Sequence, residues 1–85
     1  MDYANLAVLI PCHNEGETIS KVVSGFKDAL PGAPIYVYDN CSTDDTQEKA
    51  RDAGAIVRLE YRKGKGNVVR RLFSDVDADF YILVD

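Results

Sequence analysis

The stretch "VYDNCSTDDT", residues 37–46, decides how this chain is read. It opens as the end of a short apolar run, Ile35-Tyr36-Val37-Tyr38, whose β-branched and aromatic side chains suit a strand. It then sets Asp39 and Asn40 at the strand's exit, ahead of a Ser-Thr-Asp-Asp cluster that reads as a helix start. Ser42 can cap that helix, with Asp45 three residues on in an approximate capping box, and Gly54 fits its C-terminal exit. A strand passing through a polar turn directly into a helix is half of a β-α-β unit. Two explanations of Asp39 are open at this point: an Asx-type turn kept for its local hydrogen bonds, or a carboxylate that meets a ligand.

The same alternation continues on both sides. Leu6–Ile10 and Phe80–Val84 are continuously apolar, as strands covered on both faces are. Ala55–Glu60 differs, because Arg58 and Glu60 alternate with Val57 and Leu59, a pattern that suits an edge strand. Ile19, Val22, Val23, Phe26 and Leu30 follow helical spacing until Pro31-Gly32 stops them. Val68, Val69, Leu72, Phe73 and Val76 mark a third helix over roughly 66–77. The order β-α-β-α-β-α-β predicts an α/β fold with a parallel four-stranded sheet and right-handed crossovers.

Bulk properties narrow the function. Eighty-five residues make one small domain. A domain of that size buries only about 60–65% of its unfolded surface, so its stability margin is thin. Hydrophobic residues at 46% and charged residues at 28% are globular values. A net charge of −4 argues against a nucleic-acid surface, which needs a basic face. No apolar run approaches the ~18 residues of a membrane span. The N-terminus lacks the basic start of a signal peptide, so the cytoplasm is the expected location. Two cysteines are too few for a disulfide framework.

In an open parallel sheet, ligands bind beyond the carboxyl ends of the strands. Here those exits read "PCHNEGET" (11–18), "DNCSTDD" (39–45), "YRKGKGN" (61–67) and Asp85. Each has a structural explanation as a turn, and Glu15 and Glu17 also favour the dipole of the first helix. Gathered on one rim, they point to one site. "GKGN" fits neither the Walker loop nor the dinucleotide fingerprint, although a helix N-terminus behind it can receive an anion. Cys12, Cys41 and His13 have no metal-site spacing and read better as small residues in tight exits and a surface histidine.

"VLIPCHNEGETI", "VYDNCSTDDT", "GKGNVVRRLF" and "DADFYILVD" resemble the first four blocks of family 2 glycosyltransferases, in the same order. The likeness runs from Leu6 to Asp85 and its spacing is similar to the dolichyl-phosphate-mannose-synthase-like branch. It implies the N-terminal, nucleotide-binding half of a glycosyltransferase-A fold, with strand order 3-2-1-4. It also implies an inverting transfer from a UDP- or GDP-linked sugar to an acceptor hydroxyl or lipid phosphate, with Mg²⁺ or Mn²⁺. By position, Pro11, Asn14 and Glu15 would lie along the nucleoside. Asp39, with Asn40 beside it, would meet the base, and Gly64, Lys65 and Gly66 would border the nucleotide. Asp85 would be the first carboxylate of the Asp-x-Asp metal motif. Asn40 stands where that family often has Asp, and Cys41 where it often has Gly.

Three further expectations follow. The second metal-motif Asp and the acceptor half lie beyond these residues, so the 85 residues alone should be inactive while the parent, possibly membrane-associated, is the enzyme. The last strand should be an apolar edge that favours self-association. A flavodoxin-like binding domain would need an acidic cluster where the first exit reads "PCHNE", and a nucleotidyltransferase would need a glycine-rich loop there.

Overall fold

The computed structural model describes residues 5–84. Its elements are β1 (Leu6–Cys12), α1 (Ile19–Ala29), β2 (Ile35–Asp39), α2 (Thr46–Asp52), β3 (Ile56–Leu59), α3 (Lys65–Asp75) and β4 (Phe80–Leu83). The strands form one parallel sheet in the order β3-β2-β1-β4, as the sequence pattern and the resemblance imply.

Strand alternation divides the core in two. Val8, Ile10 and Cys12 of β1 and Ile35 and Val37 of β2 face Ile19 and Val23 of α1 and Ala50 of α2. Ala7 and Leu9 of β1 and Tyr38 of β2 face Val68, Leu72 and Val76 on the α3 side. Each fully buried Val or Leu among these contributes about 1.5–3 kcal/mol of transfer free energy. Tyr38 is buried yet keeps a polar partner, its hydroxyl donating to Asp75 Oδ2 at 2.9 Å, where Arg71 Nε also donates at 2.9 Å. Burial and that carboxylate push the Tyr38 phenol up to about 12, and the Tyr38 and Arg71 donors hold Asp75 below the usual carboxylate range. The pair fastens the end of α3 to the centre of the sheet.

Pro11 sits in a central strand without cost. Val8 N bonds Pro34 O and Cys12 O receives Asn40 N, so even residues of β1 bond β2. Odd residues face β4, where the last described bond is Val84 N to Leu9 O. The missing Pro11 N–H therefore falls just past that ladder.

One local expectation holds for β4 and two need correction. Among the described residues β4 pairs only with β1, the apolar edge expected from the sequence, but Phe80 is 69% and Leu83 42% exposed, so the run is not covered on both faces. Cover over that edge is partial: Phe73 of α3 packs edge-on against Tyr81 and Ile82 packs against the α1-side core, while Phe80 and Leu83 stay open. Helix α2 does not start on a Ser42 cap. It starts at Thr46 with Asp45 in the cap position, making no side-chain cap bond, and Asp44 Oδ1 accepts from Thr46 N at 3.0 Å instead. Ser42 is taken by Asp39. A buried carboxylate without donors costs several kcal/mol, whereas a cap is worth about 1, so the carboxylate wins the hydroxyl.

Candidate functional site

The loops leaving β1, β2 and β3 enclose a cavity of about 440 Å³, lined by Pro11, Cys12, His13, Glu15, Asn40, Lys63, Gly64, Lys65 and Val68. Its apolar lining comes from Pro11 and Val68 with the end of β1 at Cys12, and Glu15 and the two lysines supply charge. Of the residues singled out from the sequence, Pro11, Glu15, Asn40, Gly64 and Lys65 meet there, whereas Asn14, Asp39 and Gly66 are not among its lining.

Asp39 is 1% exposed and points elsewhere. Its carboxylate accepts from Ser42 N at 3.1 Å, from the Ser42 hydroxyl, and from Gln47 Nε2 at 2.9 Å. It shares the parity of Ile35 and Val37, so its side chain leaves β2 on the α1–α2 face, and it borders a separate cleft of about 130 Å³ with Gln47 and Leu59. The Ser42 contacts are those of a local turn, and Gln47 of α2 adds a third donor.

Asn40 is spoken for as well. Its Nδ2 donates to Glu60 O at 2.9 Å and Arg62 O at 2.8 Å, and its Oδ1 accepts from Gly64 N at 2.9 Å. One amide thus clips the whole β3–α3 loop over the end of β2. A carboxylate could not do this, because two of the three partners are carbonyl oxygens. Gly64, at φ 123°, turns its N–H into that clip in a conformation that a side chain would strain.

The β1–α1 and β2–α2 loops are stitched together in the same way. Asn14, at φ 52°, donates its backbone N–H to Ser42 Oγ at 2.8 Å, and its Oδ1 accepts from Thr43 N at 2.8 Å. Glu15 N donates to Thr46 Oγ1 at 2.9 Å and Gly16 N to Asp44 Oδ2 at 3.0 Å. A Cβ on Gly16 would run into the Asp45 carboxylate. Thr46 and Gly16 hold Asp44 below the usual carboxylate range by hydrogen bonding to its charged form. Glu15 is the exception in this stretch. Its side chain is exposed and its carboxylate makes no hydrogen bond among the described residues.

Sequence reasoning missed His13, Lys63, Cys12 and Val68 as lining residues. His13 was available as the third residue off Ile10 on the same rim, and Lys63 as the neighbour of Gly64-Lys65. Cys12 is no nucleophile: burial, then the nearby carboxylates of Glu15, Asp39 and Asp44, push its thiol up to about 12. Both cysteines are free, and among the described residues no three His, Cys, Asp or Glu side chains gather as metal ligands. Asp85, the carboxylate expected at a cation, lies outside the described residues.

The family model of glycosyl transferase family 2 matches residues 7–85. The chain belongs to that family. Protein RfbJ of Shigella flexneri is 60% identical over 81 residues, 95% of this chain and 63% of that protein. Glycosyltransferase AglJ of Haloferax volcanii is 40% identical over 94% of this chain and 26% of its own length. This family 2 chain thus spans under two thirds of the first of these relatives and about a quarter of the second. Glucosyl-3-phosphoglycerate synthase of Mycobacterium tuberculosis, solved with Mg²⁺ and UDP, matches with a TM-score of 0.86 and 28% identity. That match covers 96% of this chain and 33% of the synthase chain. The same enzyme has been solved with Mn²⁺, UDP-glucose and phosphoglyceric acid. The sheet is the N-terminal half of the glycosyltransferase-A fold.

Proposed function

We propose that the cavity receives the nucleoside diphosphate of a sugar nucleotide, UDP- or GDP-linked. The parent protein then transfers the sugar, with inversion, to an acceptor hydroxyl or a lipid phosphate. The observation that carries this reading is the cavity itself. Its volume lies in the range of small-molecule sites, about 300–1,000 Å³, and Pro11 and Val68 offer apolar surface to a ring system. Lys63 and Lys65 stand on its rim at the N-terminus of α3, where the helix dipole and cationic side chains both favour an anionic diphosphate. The Mg²⁺- and UDP-bound structure of a relative with this fold supports the same ligand class.

In this reading Pro11 and Val68 bear the base, and Asn40 holds the β3–α3 wall in place. Glu15 is the carboxylate at the polar end, and Asp85 is taken as a cation ligand on the family resemblance. A divalent cation needs few protein ligands when phosphate oxygens and water complete its shell, so the sparse carboxylates fit Mg²⁺ or Mn²⁺ held largely by its own ligand. When bound, that ion neutralises charge on the departing diphosphate. Amide shifts test the reading: UDP with Mg²⁺ should move the signals of His13, Asn40, Gly64 and Gly66 saturably. An unchanged spectrum at millimolar UDP and GDP would remove the nucleotide from this cavity.

We also propose that the 85-residue chain self-associates through β4. Phe80 and Leu83 are exposed, Phe73 beside Tyr81 is 44% exposed, and no charge or proline lies within Phe80–Leu83 to blunt the edge. Light scattering should show a mass rising with concentration. A constant monomer mass across the micromolar range would count against it.

A further inference from the structure

We infer that His13 selects the base, accepting a hydrogen bond from a ring N–H next to a carbonyl, as at N3 of uracil or thymine and N1 of guanine. The inference rests on the nucleotide reading above. It starts from a hydrogen bond that fixes the tautomer. His13 Nδ1 stands 2.6 Å from the backbone oxygen of Asn40, and a carbonyl can only accept, so Nδ1 carries the proton. In the neutral imidazole that leaves Nε2 as the acceptor. The only contact described for it is Asn14 Nδ2 at 3.4 Å, too long to satisfy it well.

Elimination strengthens the case. The polar side chains that the motif offers for reading a base are already committed: Asp39 to three donors, the Asn40 amide to the β3–α3 loop, Asn14 Oδ1 to Thr43. Lys63 and Lys65 can only donate. Among the side chains lining the cavity, the hydrogen-bond acceptors left are His13 Nε2 and the Glu15 carboxylate. His13 leaves β1 two residues after Pro11 and is tied to the backbone at Asn40, which puts its ring where the apolar lining meets the β2 exit. A base seated on Pro11 and Val68 would turn its edge towards Nε2. A ring with a lone pair at that position, as in cytosine, would set acceptor against acceptor and be rejected.

The test uses the whole chain and three ligands, UDP, CDP and N3-methyl-UDP, titrated with Mg²⁺ present. The wild type should bind UDP at least ~10-fold more tightly than either analogue, the scale of one satisfied against one opposed hydrogen bond. In His13→Phe, which keeps an aromatic ring and loses the acceptor, the three affinities should fall within about twofold of one another. Equal binding of UDP and N3-methyl-UDP by the wild type overturns the inference without recourse to any variant that could misfold. A preference that survives in His13→Phe and collapses in Glu15→Gln overturns it in favour of Glu15. If none of the three ligands binds, the nucleotide reading fails with it; if all bind alike, only the role of His13 fails.

Discussion

Asn40→Asp is expected to lower the thermal midpoint by about 10–20 °C, even though Asp is the residue often found at this position in the family it resembles. The arithmetic follows from three hydrogen bonds. The carboxylate still accepts from Gly64 N, but it turns oxygen towards the carbonyls of Glu60 and Arg62, where the amide had donated. Two satisfied contacts become two repulsive ones. The loop already buries Glu60, whose Oε1 has no hydrogen-bond partner among the described residues, with the Arg62 guanidinium 3.7 Å away. A carboxylate set against that loop from the end of β2 adds like charge. A loss of roughly 2–4 kcal/mol is in keeping with breaking a buried polar network, and about 1 kcal/mol moves the midpoint of a domain this small by 4–8 °C. Circular dichroism melts at neutral pH decide it, with Asn40→Ala as the uncharged comparison. A midpoint within a couple of degrees of the wild type would mean that the clip is dispensable.

Asp39→Ala should cost about 3 kcal/mol in urea unfolding, and Asp39→Asn a similar amount, because in each case buried donors lose their anionic acceptor. Alanine leaves the Ser42 amide, the Ser42 hydroxyl and Gln47 Nε2 without their partner. Asparagine keeps the volume but turns an NH₂ towards donors. Both variants should weaken nucleotide binding only in proportion to unfolding. If Asp39→Asn keeps wild-type stability and abolishes UDP binding, then Asp39 touches the ligand and the turn account fails.

These two neighbours show what the sequence conveys and what it withholds. The parallel sheet is legible because four apolar runs alternate with three helical periodicities; its order comes from the family resemblance, with which the edge pattern of Arg58 and Glu60 on β3 agrees. That the polar exits share one rim follows from topology alone. What each polar residue does there was not legible from residue type. Asp39 looked like a ligand carboxylate because it leaves an apolar strand. Counting parity from Ile35 and Val37 would have sent its side chain to the helical face opposite Val68. The role of Asn40 depends on three backbone groups some 20 residues away, which no local pattern encodes. His13 has no metal-site spacing and so reads as a surface residue, although a binding role needs no such spacing. The start of α2 was misplaced because the demand of Asp39 for donors outranked the local capping signal of Ser42.

The stitching of the first two loops carries a lesson for mutagenesis. Asn14, Ser42, Thr43, Asp44 and Thr46 behave as rivets, each joining one lip of the crevice to the other. Removing any of them spoils the mould rather than a handhold, and occupancy drops whether or not that side chain ever met the guest. Glu15 alone in this seam can be exchanged with every rivet left in, so its replacement is the cleanest probe of what the crevice holds.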